Sequence, residues 1–212
     1  MRAIVLLSGG LDSAVAFYWA NSKGWDVYTI EFEYHMRPKR ERNACRDLRE
    51  RAGITRKIVV PLQFICEVSD ISPQELLNPS LSRAPEGYIP SRNLIFYSLA
   101  AYHAEVLGAR LIVGGHNRND CESFPDAGKS FWEQLNRLLM TAMWSHSEVQ
   151  TEIVLPLIEL TKLDIIRLGA KLGVPFEVTW SCYGNADRPC GSCPSCLERD
   201  HAFKAVGNSQ GK

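Results

Sequence analysis

The sequence carries no excess of either charge, since Lys and Arg total 24 and Asp and Glu also total 24. No global positive field is expected to gather nucleic acid or an anionic membrane, so direct nucleic-acid binding is not expected. Long apolar runs are also lacking. The N-terminal stretch from Ala3 to Leu7 is shorter than the core of a secretory signal and far shorter than the roughly 20 residues of a spanning helix. A cytoplasmic location without membrane attachment is expected. There is no internal repeat, low-complexity tract or inter-domain linker, and 212 residues suit one main core with at most a small appendage. What is present is a globular composition, 45% hydrophobic and 23% charged.

Periodicity along the chain alternates between strand and helix. Arg2 to Leu7 is a short run rich in Val, Ile and Leu, followed by Ser8-Gly9-Gly10 and a helical stretch from Asp12 to about Ser22. Asp26 to Phe32 reads as a second strand, Lys39 to Ala52 as a charged helix and Arg56 to Val60 as a third strand. This alternation implies βαβ units, a parallel sheet and an α/β Rossmann-like fold. Five prolines and glycines between Gln63 and Pro90 (Pro73, Pro79, Pro85, Gly87, Pro90) break any long element there, predicting a surface excursion. Ser91 is expected to cap a helix through Leu107, with Arg110 to Val113 as a fourth strand closed by Gly114-Gly115. A helix from Lys129 to Trp144, an extended Glu152 to Leu155 and a helix from Lys162 to Leu172 capped by Thr161 complete the pattern.

Ser8-Gly9-Gly10-Leu11-Asp12-Ser13 stands where a strand feeds a helix, a place where backbone N–H groups and the positive helix end make an anion site. A tight turn with a Ser or Asp cap is the plain alternative. No Lys follows the glycines and no G-x-G-x-x-G is present, which disfavours γ-phosphate transfer and dinucleotide binding. The segment resembles the S-G-G-x-D-S signature of the PP-loop superfamily of N-type ATP pyrophosphatases, matched at every defined position. That resemblance implies that β- and γ-phosphates sit in this loop while a substrate oxygen attacks the α-phosphate, with Asp12 helping to place Mg2+.

Four of the seven cysteines fall at Cys182-x7-Cys190-x2-Cys193-x2-Cys196. In a reducing compartment this spacing reads as a metal site, with disulfides or an iron-sulfur cluster as alternatives. Four thiolates leave no open coordination position, which predicts a structural Zn2+ and not a catalytic one.

The loop and the cysteine knuckle together resemble the 7-cyano-7-deazaguanine synthase family nearly end to end. Tyr88-Ile89-Pro90-Ser91-Arg92-Asn93, Phe124-Pro125-Asp126, Leu160-Thr161-Lys162 and Thr179-Trp180-Ser181-Cys182-Tyr183 extend the match. Glu33-Tyr34-His35-Met36-Arg37 departs from the family's Asp-Tyr-Gly-Gln-Arg stretch, and Ala127 follows Asp126 where Cys or Asn is commoner. The resemblance implies an adenine nucleotide alpha hydrolase-like domain over residues 1–178, with a zinc segment over 179–212 packed on it. It further implies a ligase using ATP and ammonia to convert 7-carboxy-7-deazaguanine to the nitrile through an adenylate and an amide, and a possible homodimer.

ATP contacts are expected from Leu7, Ser8, Gly9, Gly10, Leu11, Asp12, Ser13, Ala14 and Val15, with Asp12, Ser13 and Arg92 as catalytic residues. Arg92, Asn93, Phe124 and Asp126 are the expected substrate contacts: Arg92 for a carboxylate or phosphate, Asp126 for a guanine-like N–H edge or, alternatively, as a plain helix cap. Tyr183 is a second aromatic for a flat ring, whereas His35, His116 and Cys121 show no partner that would make them catalytic. Competing chemistries are tRNA thiolation, which would want reactive cysteines and a basic surface, and a zinc-knuckle binding module, which would leave the Ser8–Ser13 loop without a purpose.

Overall fold

Arg2–Leu6 forms β1, and its alternate residues serve two cores: Ala3 and Val5 face one side of the sheet, Ile4 the other. A strand buried on both faces is what a near-continuous apolar run produces in a parallel sheet. β2 (Asp26–Tyr34), β3 (Lys57–Leu62), β4 (Leu111–Val113) and β5 (Glu152–Val154) complete an all-parallel sheet of order β3-β2-β1-β4-β5. The computed structural model describes residues 1–209 other than Met36, Glu86, His146 and Asn185, with side chains to Gly207. Met36 of the Glu33–Arg37 stretch, and residues 210–212 of the expected tail segment, lie outside the described residues.

Helices α1 (Leu11–Ser22) and α2 (Lys39–Arg51) cover one face of the sheet, while α3 (Arg92–Leu107) and α5 (Lys129–Ala142) cover the other. Right-handed crossovers that run outward in opposite directions from β1 require this division. Phe17 of α1 and Tyr97 of α3 are the largest side chains fully enclosed in the two cores. Truncating Phe17 to Ala would cost about 3–5 kcal/mol. Because the chain leaves β1 in one direction and β4 in the other, the switch point lies beyond the carboxyl ends of these two strands, where α/β folds open a ligand crevice.

Several elements differ from expectation. β2 runs on to Tyr34, two residues past its expected end at Phe32. α5 stops at Ala142, since Met143 is extended and turns into the core while Trp144 lies almost wholly exposed. Ser91 does not cap α3: its backbone is left-handed (φ 54°), a conformation that does not aim the hydroxyl at the helix N–H groups, and its side chain makes no cap bond. Two helices appear where a loop and a knuckle were expected, the short α4 (Arg118–Ser123) and the 16-residue α7 (Pro194–Ser209). The capping box of Asn117 and Asp120 starts α4. α7 packs on α6 (Lys162–Lys171), and Ala202, Phe203 and Val206 join the core beside α1. Among the described residues, the helical turns of the Gln63–Pro90 excursion are 3-10 turns at Val68–Asp70 and Pro79–Arg83.

Candidate active site and metal centre

The Ser8–Ser13 loop turns tightly where Gly9 carries no side chain and none would fit. Gly9 has φ +91°, and a Cβ on it would lie 2.5 Å from the Glu41 carbonyl of α2. Gly115, arriving from β4, crosses the start of α1 so closely that a Cβ would stand 2.8 Å from the Ser13 nitrogen. Within the loop the Ser8 and Ser13 hydroxyls are 3.0 Å apart, Ser13 Oγ donates to the Gly10 carbonyl at 3.0 Å, and the Gly10 N–H donates to Ser8 Oγ at 3.3 Å. The first N–H groups of α1, on Leu11, Asp12 and Ser13, have no carbonyl within the helix to bond. They are available to an anion in the manner of helix N-termini that hold phosphate.

Asp12 reaches across the crevice. Its Oδ2 accepts from Lys162 Nζ at 2.6 Å and from Asn117 Nδ2 at 3.1 Å, and Lys162 also pairs with Glu198 Oε2 at 3.2 Å. Burial pushes the Asp12 carboxyl up more strongly than Lys162 pulls it down. Burial works against the Lys162 ammonium too, but Asp12 and Glu198 outweigh it and leave its pKa raised. Asp12 Oδ1 is buried without a hydrogen-bond partner among the described residues, and such an orphan oxygen fits a divalent cation arriving with a nucleotide.

These groups line a cleft of about 500 Å³, within the range of small-molecule sites. Leu7, Ser8, Gly10, Leu11, Asp12 and Ser13 are part of its wall. Gly9 is tucked under the loop, and Ala14 and Val15 are fully buried in the core beside it. Arg92, Asn93, Phe96 and Phe124 line the same cleft. Phe124 lies parallel to Tyr88, with centroids 6.4 Å apart and ring planes within 3°. Tyr183, half exposed, lines the same cleft. Asp126 is not part of the cleft wall: its Oδ2 accepts the Asn93 N–H of α3 at 2.9 Å, and its carbonyl accepts Asn93 Nδ2 at 2.8 Å.

The remaining polar candidates have ordinary surroundings. His116 sits against Trp132 and Tyr97, and burial, helped by Arg92, pushes its pKa down to about 4, so it is neutral at physiological pH. His35 is exposed. Cys121 donates to the Asn117 carbonyl, and burial followed by Asp120 raises its pKa, which keeps it a thiol.

The four tail cysteines converge, with all sulfurs within 4.8 Å of one another. Tetrahedral zinc bonds near 2.3 Å would bring sulfurs to about 3.8 Å, so a modest contraction completes the shell. Backbone N–H groups of Gly184, Cys190 and Cys193 point at the sulfurs of Cys182 and Cys190 at 3.3–3.4 Å, and the positive φ of Gly191 supplies the turn. The Ser192 N–H and hydroxyl, then the Cys193 N–H, draw the Cys190 thiol down to about 6. The knuckle abuts the phosphate loop, since the Trp180 N–H donates to the Gly9 carbonyl at 2.9 Å. α7, which begins at Pro194, brings Glu198 to Lys162.

Lys162, Glu198, Arg37 and Trp180 were not singled out as site residues by the sequence. One of them carried a signal. Lys162 is the first residue of a helix capped by Thr161, where a cation opposes the helix dipole, so a Lys there wants a reason outside the helix.

The family model for queuosine biosynthesis protein QueC matches residues 2–207. The chain is 40% identical over 212 residues to a 7-cyano-7-deazaguanine synthase of Thermoplasma acidophilum, covering 98% of this chain and 89% of that protein. It is 35% identical over 209 residues to the enzyme of the same name from Campylobacter concisus, covering 96% and 94%. Among solved structures it is similar to the NMN synthetase of Francisella tularensis, with TM-score 0.52 and 18% identity over 98% of this chain and 84% of that one.

Proposed function

Because this chain belongs to the QueC family of queuosine biosynthesis proteins, we propose that it is a 7-cyano-7-deazaguanine synthase. Its substrates are 7-carboxy-7-deazaguanine, ammonia and ATP. A carboxylate oxygen attacks the α-phosphorus of ATP, the bond to pyrophosphate breaks, and an acyl-adenylate forms. Ammonia adds to the acyl carbon, AMP leaves with a carboxyl oxygen, and one proton is released to give the amide. The amide oxygen then attacks the α-phosphorus of a second ATP and displaces pyrophosphate, and loss of AMP with that oxygen, together with both nitrogen protons, yields the nitrile.

The observation that carries this assignment is the shared cleft, lined both by residues of the Ser8–Ser13 loop and by Arg92, Asn93 and Phe124. The loop N–H groups and the Ser8 and Ser13 hydroxyls hold the β- and γ-phosphates, so that rate comes from orientation and from fixed charges facing the leaving pyrophosphate. Arg92 takes the carboxylate, Phe124 takes the face of the flat ring, and Asn93 lines the wall between them. Asp126 acts through Asn93, to which it is bonded. Asp12 would hold Mg2+ accompanying ATP, and the ion would neutralise phosphate charge when bound. Lys162 screens Asp12 until then. Zn2+ fits the closed four-thiolate shell as a structural ion.

Free ammonium serves as the nitrogen source. A cytoplasmic homodimer without nucleic acid as a direct partner completes the proposal; among the described residues no helix is long and apolar enough to cross a membrane. Incubating the protein with ATP, magnesium, ammonium and 7-carboxy-7-deazaguanine should yield the nitrile, AMP and pyrophosphate. ADP as the main nucleotide product would overturn the adenylation chemistry.

A further inference from the structure

Each carbonyl of the phosphate loop is held by a donor. Leu7 O accepts from the Cys45 thiol at 3.2 Å, Ser8 O from Arg37 Nη2 at 3.1 Å, Gly9 O from the Trp180 N–H at 2.9 Å, and Gly10 O from the Ala14 N–H at 3.0 Å. A trans peptide directs its C=O and the following N–H in opposite directions. A donor that fixes the Ser8 carbonyl therefore also fixes the direction of the Gly9 N–H.

Arg37 is the side chain that does this. It follows β2, and its side chain is 1% exposed. A guanidinium offers five N–H donors, and here each has a partner. Nε donates to Glu41 Oε2 at 3.3 Å; Nη1 donates to the Phe32 carbonyl at 3.1 Å and to Glu33 Oε1 at 2.9 Å; Nη2 donates to the Ser8 carbonyl at 3.1 Å and to the Cys45 sulfur at 3.2 Å. Cys45 relays the grip, accepting from Arg37 and donating to Leu7 O. An arginine meant for substrate would keep donors for it; this one has none left. Its contacts instead join the end of β2, the start of α2 and the loop after β1. A lysine, with three donors on a flexible stem, cannot reproduce that fork.

We infer that Arg37 is a positioning residue of the ATP site: it touches neither nucleotide nor acid substrate but sets the direction of the phosphate-loop N–H groups through the Ser8 carbonyl. The inference rests on the loop binding ATP, as proposed above. Its signature is selective. Loss of the guanidinium should misaim loop donors and weaken ATP binding, while the acid substrate, held by Arg92, Asn93 and Phe124 and not by the loop N–H groups, should be little affected.

The test compares the parent protein with Arg37→Ala, Arg37→Lys and Glu33→Gln. Calorimetry with a non-hydrolysable ATP analogue accompanies steady-state kinetics for ATP and for 7-carboxy-7-deazaguanine. Arg37→Ala should raise KM for ATP by about tenfold or more and change KM for the acid by less than about twofold. Millimolar guanidinium should restore part of the ATP affinity of Arg37→Ala, and Arg37→Lys should not behave as the parent. If the alanine variant does not fold, Glu33→Gln, whose side chain is 22% exposed, keeps the guanidinium and weakens its hold. There a rise of about two- to fivefold in KM for ATP is expected. A lower kcat at unchanged KM for ATP in the folded variants would mean that Arg37 only supports the fold, and would overturn the inference. A parent protein that does not bind the ATP analogue would instead refute the ATP reading of the loop.

Discussion

Lys162 Nζ stands 2.6 Å from Asp12 Oδ2, joining residues 150 positions apart across the mouth of the phosphate loop. The pair is an electrostatic compromise, since burial still holds the Asp12 pKa above its usual value. A carboxyl whose folded pKa is raised contributes stability that is present below the unfolded pKa and lost as pH rises through the folded one. Ionising Asp12 in the folded protein therefore costs stability as pH rises.

Asp12→Asn should accordingly melt no lower than the parent at pH 7, with Lys162 keeping Glu198 as counter-ion, while adenylation falls by about a hundredfold or more if Asp12 holds magnesium. Lys162→Met should do the opposite to the fold, losing about 1–3 kcal/mol by leaving Asp12 unpaired. Differential scanning calorimetry with pyrophosphate-release assays separates the two. A marked fall in the melting temperature of Asp12→Asn would contradict this account of the pair.

His116 makes stability depend on pH on the acid side. Its folded pKa is pushed from 6.5 to about 4, mainly by burial, so the stability it contributes is present above pH 6.5 and is lost as pH falls through the folded value. The full loss amounts to on the order of 3 kcal/mol. Urea titrations between pH 7 and 4 should show this slope, and His116→Gln should flatten it. An unchanged slope in that variant would place the acid sensitivity elsewhere.

Metal removal should reach the nucleotide site. Because the Trp180 N–H holds the Gly9 carbonyl and α7 delivers Glu198 to Lys162, opening the knuckle with a chelator should both unfold the tail and weaken binding of an ATP analogue. Structural zinc in small knuckles contributes on the order of 10 kcal/mol at neutral pH. Elemental analysis should find one zinc per chain, and Cys193→Ser should lower the yield of folded protein. Full analogue affinity in a metal-free, soluble Cys193→Ser protein would argue against this coupling.

Asp126 and Arg92 should fail differently. Asp126 Oδ2 accepts an N–H of the first turn of α3, so Asp126→Ala should cost about 0.5–2 kcal/mol of stability through the lost cap. Any loss of acid binding should then be shared by Asn93→Ala. Arg92→Ala should depress adenylation and substrate binding at unchanged melting temperature. A specific loss of substrate affinity in Asp126→Asn alone, with the fold intact, would return Asp126 to the role of a direct ring contact.

Local chemistry made much of this protein legible before any coordinates. The strands announced themselves as apolar runs, Thr161 stood as the cap of α6, and Ser8–Ser13 stood at a strand-to-helix turn. α7 stayed hidden behind the cysteines, because a helix that carries a metal ligand, Cys196, in its first turn does not show a clean apolar stripe. Ser91 misled for a related reason: its residue type suits a cap, but its left-handed backbone does not.

The sequence by itself determined the fold class, the phosphate loop and the four-thiolate knuckle, since each depends on residues a few positions apart whose spacing is set by one strand, one turn or one coordination shell. Long-range packing alone brings Lys162 to both Asp12 and Glu198, ties Asp126 to Asn93, and commits all five Arg37 donors around the loop. The Asp12, Asp126 and Ser8 contacts span 29 to 150 residues of chain. Which carbonyl or carboxylate a buried cation reaches depends on how helices from opposite ends of the sequence pack over the switch point of the sheet. No local pattern encodes that distance.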